Sequence, residues 1–209
     1  MIYAENILIC IAVPLIVSLF FLTKSAKRFV SAFVIGMVIC LISAYISGFI
    51  DYTSKMQEGE AAVFLSPIVE ESMKIVPVLF YLLIFAPKNS YLLLFSIGIG
   101  AGFATFENCC YILSSGADKL PFILIRGLAV GVMHIVCTVM LALAMILLRK
   151  YKALSVAGVA GALSLSMIFH ALYNLLVSES GVSSYIGYAM PLLSAVIMLI
   201  PYKKHLKDL

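Results

Sequence analysis

Seven apolar stretches, each long enough to cross a bilayer, take up most of this chain, and a helix is what such a stretch becomes in lipid. About 20 consecutive apolar residues in a helix cross a hydrocarbon layer about 30 Å thick. The stretches run roughly 6–23, 29–50, 61–86, 91–113, 121–148, 153–177 and 185–202. Hydrophobic residues make up 64% of the 209 and charged residues only 11%, with a mean hydropathy of +1.14. No soluble domain of this size could hide so much apolar surface in one core. The expected fold is all-α: a polytopic transmembrane bundle of about seven spans, multi-pass in the cell membrane. Short connectors and no low-complexity segment predict one domain over 1–209.

Charge sets the expected orientation. The first span has Glu5 before it and Lys24, Lys27 and Arg28 after it, the reverse of a secretory signal, so it reads as an uncleaved helix with its N-terminus outside. Alternation then puts Lys24, Lys27, Arg28, Lys88, Arg149, Lys150, Lys152, Lys203, Lys204 and Lys207 inside, against Lys55 and Lys119 outside. Cationic connectors stay on the cytoplasmic side, which places the C-terminus inside. The net charge of +4 is therefore an orientation signal, and nothing supports nucleic acid as a partner. The outer connector from Asp51 to Glu60, net −2, is short, which leaves substrate selection to helix contacts or a further partner. Cys10, Cys40, Cys109, Cys110 and Cys137 follow no regular spacing and read as small packing residues.

Against this apolar background, ionisable side chains within the spans mark function, because each costs several kcal/mol at that depth unless it faces a partner or water. The third span holds Glu70, Glu71 and Lys74 between Pro67 and Pro77. Ser66-Pro67 reads as a helix start, with serine as the cap, and Pro77 denies an N–H to the carbonyl of Met73, so a broken helix is expected here. Lys74 is a helical neighbour of both glutamates but neutralises only one; the other needs a proton, water or a partner on another helix. The fourth span ends in Glu107-Asn108 and carries Gly98 and Gly102, a pairing that lets another backbone approach. The fifth carries Arg126 and His134, with Gly127 and Gly131 as a second such pair. Arg126 is the natural countercharge for Glu107 or a third-span glutamate. The sixth carries His170 and Asn174 four apart on one face.

Counted at 1.5 Å per helical residue from the outer ends, Glu70 and Glu71 lie roughly 14 Å deep, Glu107 roughly 9 Å, Arg126 roughly 8 Å, His170 roughly 10 Å and His134 roughly 20 Å. Spans of opposite direction thus bring their polar residues into one outer half, which predicts a wet cavity opening outward. Carboxylates beside cations, with histidine and asparagine and no serine or cysteine next to a histidine, favour water activated by a glutamate over a covalent intermediate. Glu71, Glu107, His134 and His170 could also hold zinc, although there is no HExxH; a reaction without a metal stays open.

Glu70-Glu71-x-x-Lys74, Phe103-x-x-x-Glu107-Asn108, His134 and His170-x-x-x-Asn174 together resemble the ordered signature of the PrsW family of membrane proteases. The resemblance covers about the middle half of the chain. The CAAX-prenyl-protease and bacteriocin-processing superfamily is similar at a greater distance, with arginine where Lys74 stands and histidine where Glu107 stands. What the PrsW resemblance implies is site-1 cleavage of a single-span anti-sigma factor on its extracytoplasmic side, followed by a second intramembrane protease and release of a stress sigma factor. The roles expected of the residues on this reading are these: Glu71 with Glu70 activates water, His170 polarises the scissile carbonyl or helps hold a metal, and Asn174 donates to the oxyanion. Glu107 and His134 complete the proton or metal site, with Lys74, Asn108 and Arg126 in support. A proton-coupled transporter is the competing class, since buried glutamates and histidines also build proton relays, but no second half repeats the pattern.

Overall fold

The computed structural model describes residues 4–54, 59–115, 120–149 and 151–205. Lys55, Glu58, Lys119, Lys150 and Lys207, which enter the charge argument, lie outside them. The described chain is all-helical: α1 (Ala4–Ser18), α2 (Lys24–Ser54), a π-helical turn (Ala61–Leu65), α3 (Ser66–Phe85), α4 (Asn89–Ser115), α5 (Leu120–Leu148), α6 (Lys152–Ser178) and α7 (Val182–His205). Among the described residues there is no strand, and the expected all-α class is what the chain adopts. Five helices, α2, α4, α5, α6 and α7, are long and apolar enough to cross a membrane. α3 is set apart by its buried charges. α1 is 15 residues, about 22 Å, and ends earlier than expected. It closes in a tightened turn in which the N–H groups of Leu19, Phe20 and Phe21 reach back three residues to carbonyls. The Tyr45 hydroxyl donates to Glu5, tying α1 to α2.

Close backbone contact explains the glycines of α4. A Cβ on Gly98 would sit 2.7 Å from that of Ala32, and one on Gly102 would run into the Phe33 carbonyl, while Gly36 of α2 faces the Ile99 carbonyl in return. On its other side, Gly100 lies against the Thr138 hydroxyl and the His134 carbonyl, so α4 is wedged between α2 and α5. Gly127 and Gly131 behave differently from the expectation: a Cβ on either meets nothing within 4 Å. The start of α5 stands away from its neighbours, with Leu120, Phe122, Leu124, Ile125 and Leu128 exposed. Gly102→Ala is therefore expected to destabilise the protein by about 1–3 kcal/mol through overpacking. Gly127→Ala should instead be neutral or gain up to about 1 kcal/mol of helix propensity. Thermal unfolding of the two variants in detergent checks this contrast.

The third span also departs from the expected break. α3 runs unbroken through Pro77, and Ser66 is not a cap, because a π turn leads straight into it. In a π turn the carbonyl of residue i takes the N–H of residue i+5. The Ser66 N–H accordingly bonds the Ala61 carbonyl, but the next partner would be Pro67, which has no N–H to offer the Ala62 carbonyl. At the other end Ala86 adopts φ +40°, its N–H bonds the Leu82 carbonyl, and Pro87 prevents continuation.

The largest of three buried apolar clusters among the described residues fills one end of the bundle. Ile75 and Val78 from the end of α3, Leu92, Leu93 and Ile99 from the start of α4, and Val139 to Ile146 from the end of α5 pack there. Antiparallel neighbours then leave the start of α3, the end of α4 and the first half of α5 together at the opposite end. That is where the charges are.

Candidate active site and metal centre

Four helices contribute to one connected polar cluster. From α3, Glu71 and Lys74 are fully buried and joined at 2.6 Å, three residues apart on one face. Lys74 Nζ also reaches Nδ1 of His134 on α5 at 2.8 Å and lies 4.8 Å from the centre of the Phe103 ring on α4. Glu71 Oε1 lies 2.8 Å from Nδ1 of His170 on α6. His134 Nε2 sits 2.5 Å from Oε2 of Glu107 on α4, and Glu107 Oε1 is 3.5 Å from Arg126 Nη2 on α5. Glu70 Oε2 stands 3.8 Å from His170 Nε2. The two imidazoles meet edge to face with centroids 5.0 Å apart.

Hydrogen-bonding chemistry assigns the protons. An ammonium only donates, so His134 accepts at Nδ1 and carries its proton on Nε2, donated to Glu107. A carboxylate only accepts, so His170 carries its proton on Nδ1, donated to Glu71. The Nε2 lone pair of His170 is left facing Glu70. Lys74 answers Glu71 and Arg126 answers Glu107, so among the described residues Glu70 has no cation of its own, and its buried Oε2 has no hydrogen-bond partner there.

A cavity of about 480 Å³ opens beside this cluster. Glu70, Glu107, Arg126, His170 and Asn174 line it, with Tyr111, Phe122 and Tyr188 as aromatic walls. The Arg126 guanidinium stacks 3.5 Å over the Tyr111 ring, which holds it at the rim. Glu71 and Lys74 do not reach the cavity; they form the layer behind it. Asn174 donates from Nδ2 to the Ala62 carbonyl at 2.9 Å, the carbonyl that Pro67 leaves without a partner. Asn174 thereby pins the π turn to α6, in addition to lining the cavity. Asn108 lies outside the cluster, with its Oδ1 buried and unpartnered. The five cysteines are free, as their spacing suggested.

The donor set suits a divalent cation. Glu70, His134 and His170 each offer a ligand atom within 4.8 Å of the others, whereas ligands on one zinc ion stand about 3.4 Å apart, so a small contraction would close the site once the metal takes the place of Lys74 on Nδ1 of His134. The unpartnered Glu70 oxygen and the free His170 lone pair point the same way. Of the four groups the sequence offered, His134 and His170 thus come with Glu70. Glu71 and Glu107 stand one contact further out, each holding an imidazole, as carboxylates behind metal-bound histidines do.

The family model of the PrsW family intramembrane metalloproteases matches residues 24–200, which includes every residue of this cluster. The chain belongs to the PrsW family. As a PrsW protein it is a membrane peptidase, a hydrolase, and the transporter alternative falls away. Neither the curated proteins nor the solved structures offer a match. The aromatic walls of this PrsW site were not singled out from the sequence. Tyr111 and Phe122 could have been found four residues from Glu107 and Arg126 on their helices, but Tyr188 on α7 follows no pattern.

Proposed function

We propose that this PrsW protein performs site-1 cleavage of a single-span anti-sigma factor, just inside the outer face of the cell membrane, within a stress-response pathway. The observation that supports hydrolysis at this place is the convergence of Glu70, Glu107 and His170 on one cavity, in a half of the bundle that the charge asymmetry puts outside. The same reading has seven spans and an outer N-terminus. The cavity has room for a few residues of extended peptide, so a substrate helix must unwind locally to present a carbonyl.

Glu70, His134 and His170 would hold the metal. A bound divalent cation supplies Lewis acidity, lowering the pKa of water and polarising the scissile carbonyl. Glu107 is then the carboxylate left on the cavity wall to take a proton. It accepts the proton released as the water oxygen bonds to the carbonyl carbon, and delivers it to the leaving amine as the C–N bond breaks. Arg126 keeps Glu107 oriented and, with the second amide hydrogen of Asn174, offers donors to the developing oxyanion. Glu71 acts from behind by holding the His170 proton on Nδ1, as Glu107 holds that of His134 on Nε2, and Lys74 neutralises Glu71. In this reading Glu107 activates water in place of Glu71 with Glu70, because Glu71 is buried against Lys74 behind the cavity and Glu70 is taken up by the metal.

Co-expression with a tagged single-span anti-sigma factor tests the reading. Wild type should yield a shortened fragment, and Glu70→Gln or His170→Ala should leave the substrate full length. Cleavage that persists in both variants would refute the site.

A further inference from the structure

Hydrolysis consumes one water per peptide bond, and a peptide filling the 480 Å³ cavity would stop the mouth through which water enters. Glu70 has a second open side. A separate cavity of about 300 Å³ lies between α2 and the π turn, lined by Ala44, Ser47, Gly48, Asp51, Ser66 and Glu70. Ala62, Ser66 and Glu70 belong to both cavities, so the Glu70 side chain forms part of the wall between them.

The lining of this second space suits water better than peptide. It contains two serines, an aspartate and Glu70, and the other residues are alanine and glycine, with no aromatic or large apolar side chain to grip a substrate. A volume of 300 Å³ corresponds to about ten waters at about 30 Å³ each. Ser47 is 8% exposed and its hydroxyl has no partner among the described residues, as a side chain serving an ordered water would. The Glu70 Oε2 is likewise buried and unpartnered. A Cβ on Gly48, an exposed lining residue, meets nothing within 4 Å among the described residues, so the cavity is open on that side.

We infer that this α2-side cavity is a water-supply path, delivering hydrolytic water to Glu70 while substrate occupies the larger cavity. Ser47 and Asp51 are its positioning residues, handing water along without touching the substrate, and Ser66 passes it on at the wall shared with the larger cavity. The inference rests on the proposed hydrolysis beside Glu70, but its first test does not require activity.

Ser47→Cys, in a background with the five native cysteines replaced by alanine, should react with a charged, membrane-impermeant methanethiosulfonate. Adding Gly48→Leu should slow that labelling about tenfold or more. Leucine at Gly48 also has the higher helix propensity, so the variant is expected to fold. In the cleavage assay with the tagged anti-sigma factor, Gly48→Leu should lower kcat about tenfold with KM unchanged, a loss of about 1.4 kcal/mol in the chemical step. The matching Gly161→Leu, placed where a Cβ also meets nothing, should cleave normally. An unreactive Ser47→Cys would overturn the path, and so would an unchanged kcat in a Gly48→Leu variant whose labelling is blocked. Uncut substrate with wild type, alongside normal labelling, would instead count against the hydrolytic reading and leave the hydrated path standing.

Discussion

His170→Ala is expected to lose both bound metal and cleavage, whereas Glu107→Gln keeps the metal and still loses cleavage. Both should fall by on the order of 10³-fold in kcat, because each removes a group needed in the transition state. The causes differ. His170 presents its Nε2 lone pair to Glu70, so removing it dismantles the donor set. Glu107 stands outside that set, and glutamine preserves its volume and can still accept the His134 Nε2–H, but it cannot take a proton from water. Metal content measured on purified protein, beside the cleavage rate, separates the two. Should Glu107→Gln cleave at the wild-type rate, the proton acceptor has been misassigned.

The second large effect concerns stability. Lys74→Met leaves the Glu71 carboxylate fully buried with only the His170 N–H to answer it, and breaking a buried ion pair on one side costs about 3–5 kcal/mol. Much of the folded population should be lost. Replacing both partners, Glu71→Leu with Lys74→Met, removes the uncompensated charge and should restore most of the stability. Activity should not return. Without Glu71 nothing holds the His170 proton on Nδ1, although Glu107 still holds that of His134 on Nε2. Loss of such carboxylate support costs about 10–100-fold in metal affinity. Unfolding in detergent and metal titration together check this, and a Lys74→Met protein as stable as wild type would contradict it.

Helix positions were legible in the sequence because in lipid a long apolar run has few alternatives, and the observed helices follow the expected stretches closely from 61 to 178. The shortened α1 and the π turn were not. The turn depends on a bond from Asn174, 112 residues away, to a carbonyl stranded by Pro67, and no local pattern contains that pair. The glycines show the same limit. Gly98-x-x-x-Gly102 and Gly127-x-x-x-Gly131 are identical as text, yet one is pressed against α2 and the other faces open space.

By itself the sequence determined that helices would form, which family they belong to, and which ionisable residues must meet in one half of the bundle, because stranding any of them in lipid costs too much free energy. Only the tertiary structure decided which of Glu70 and Glu71 reaches the cavity. Adjacent residues on a helix point about 100° apart, and which one is sealed against Lys74 and which stands at the cavity wall depends on where α5 and α6 bring His134 and His170.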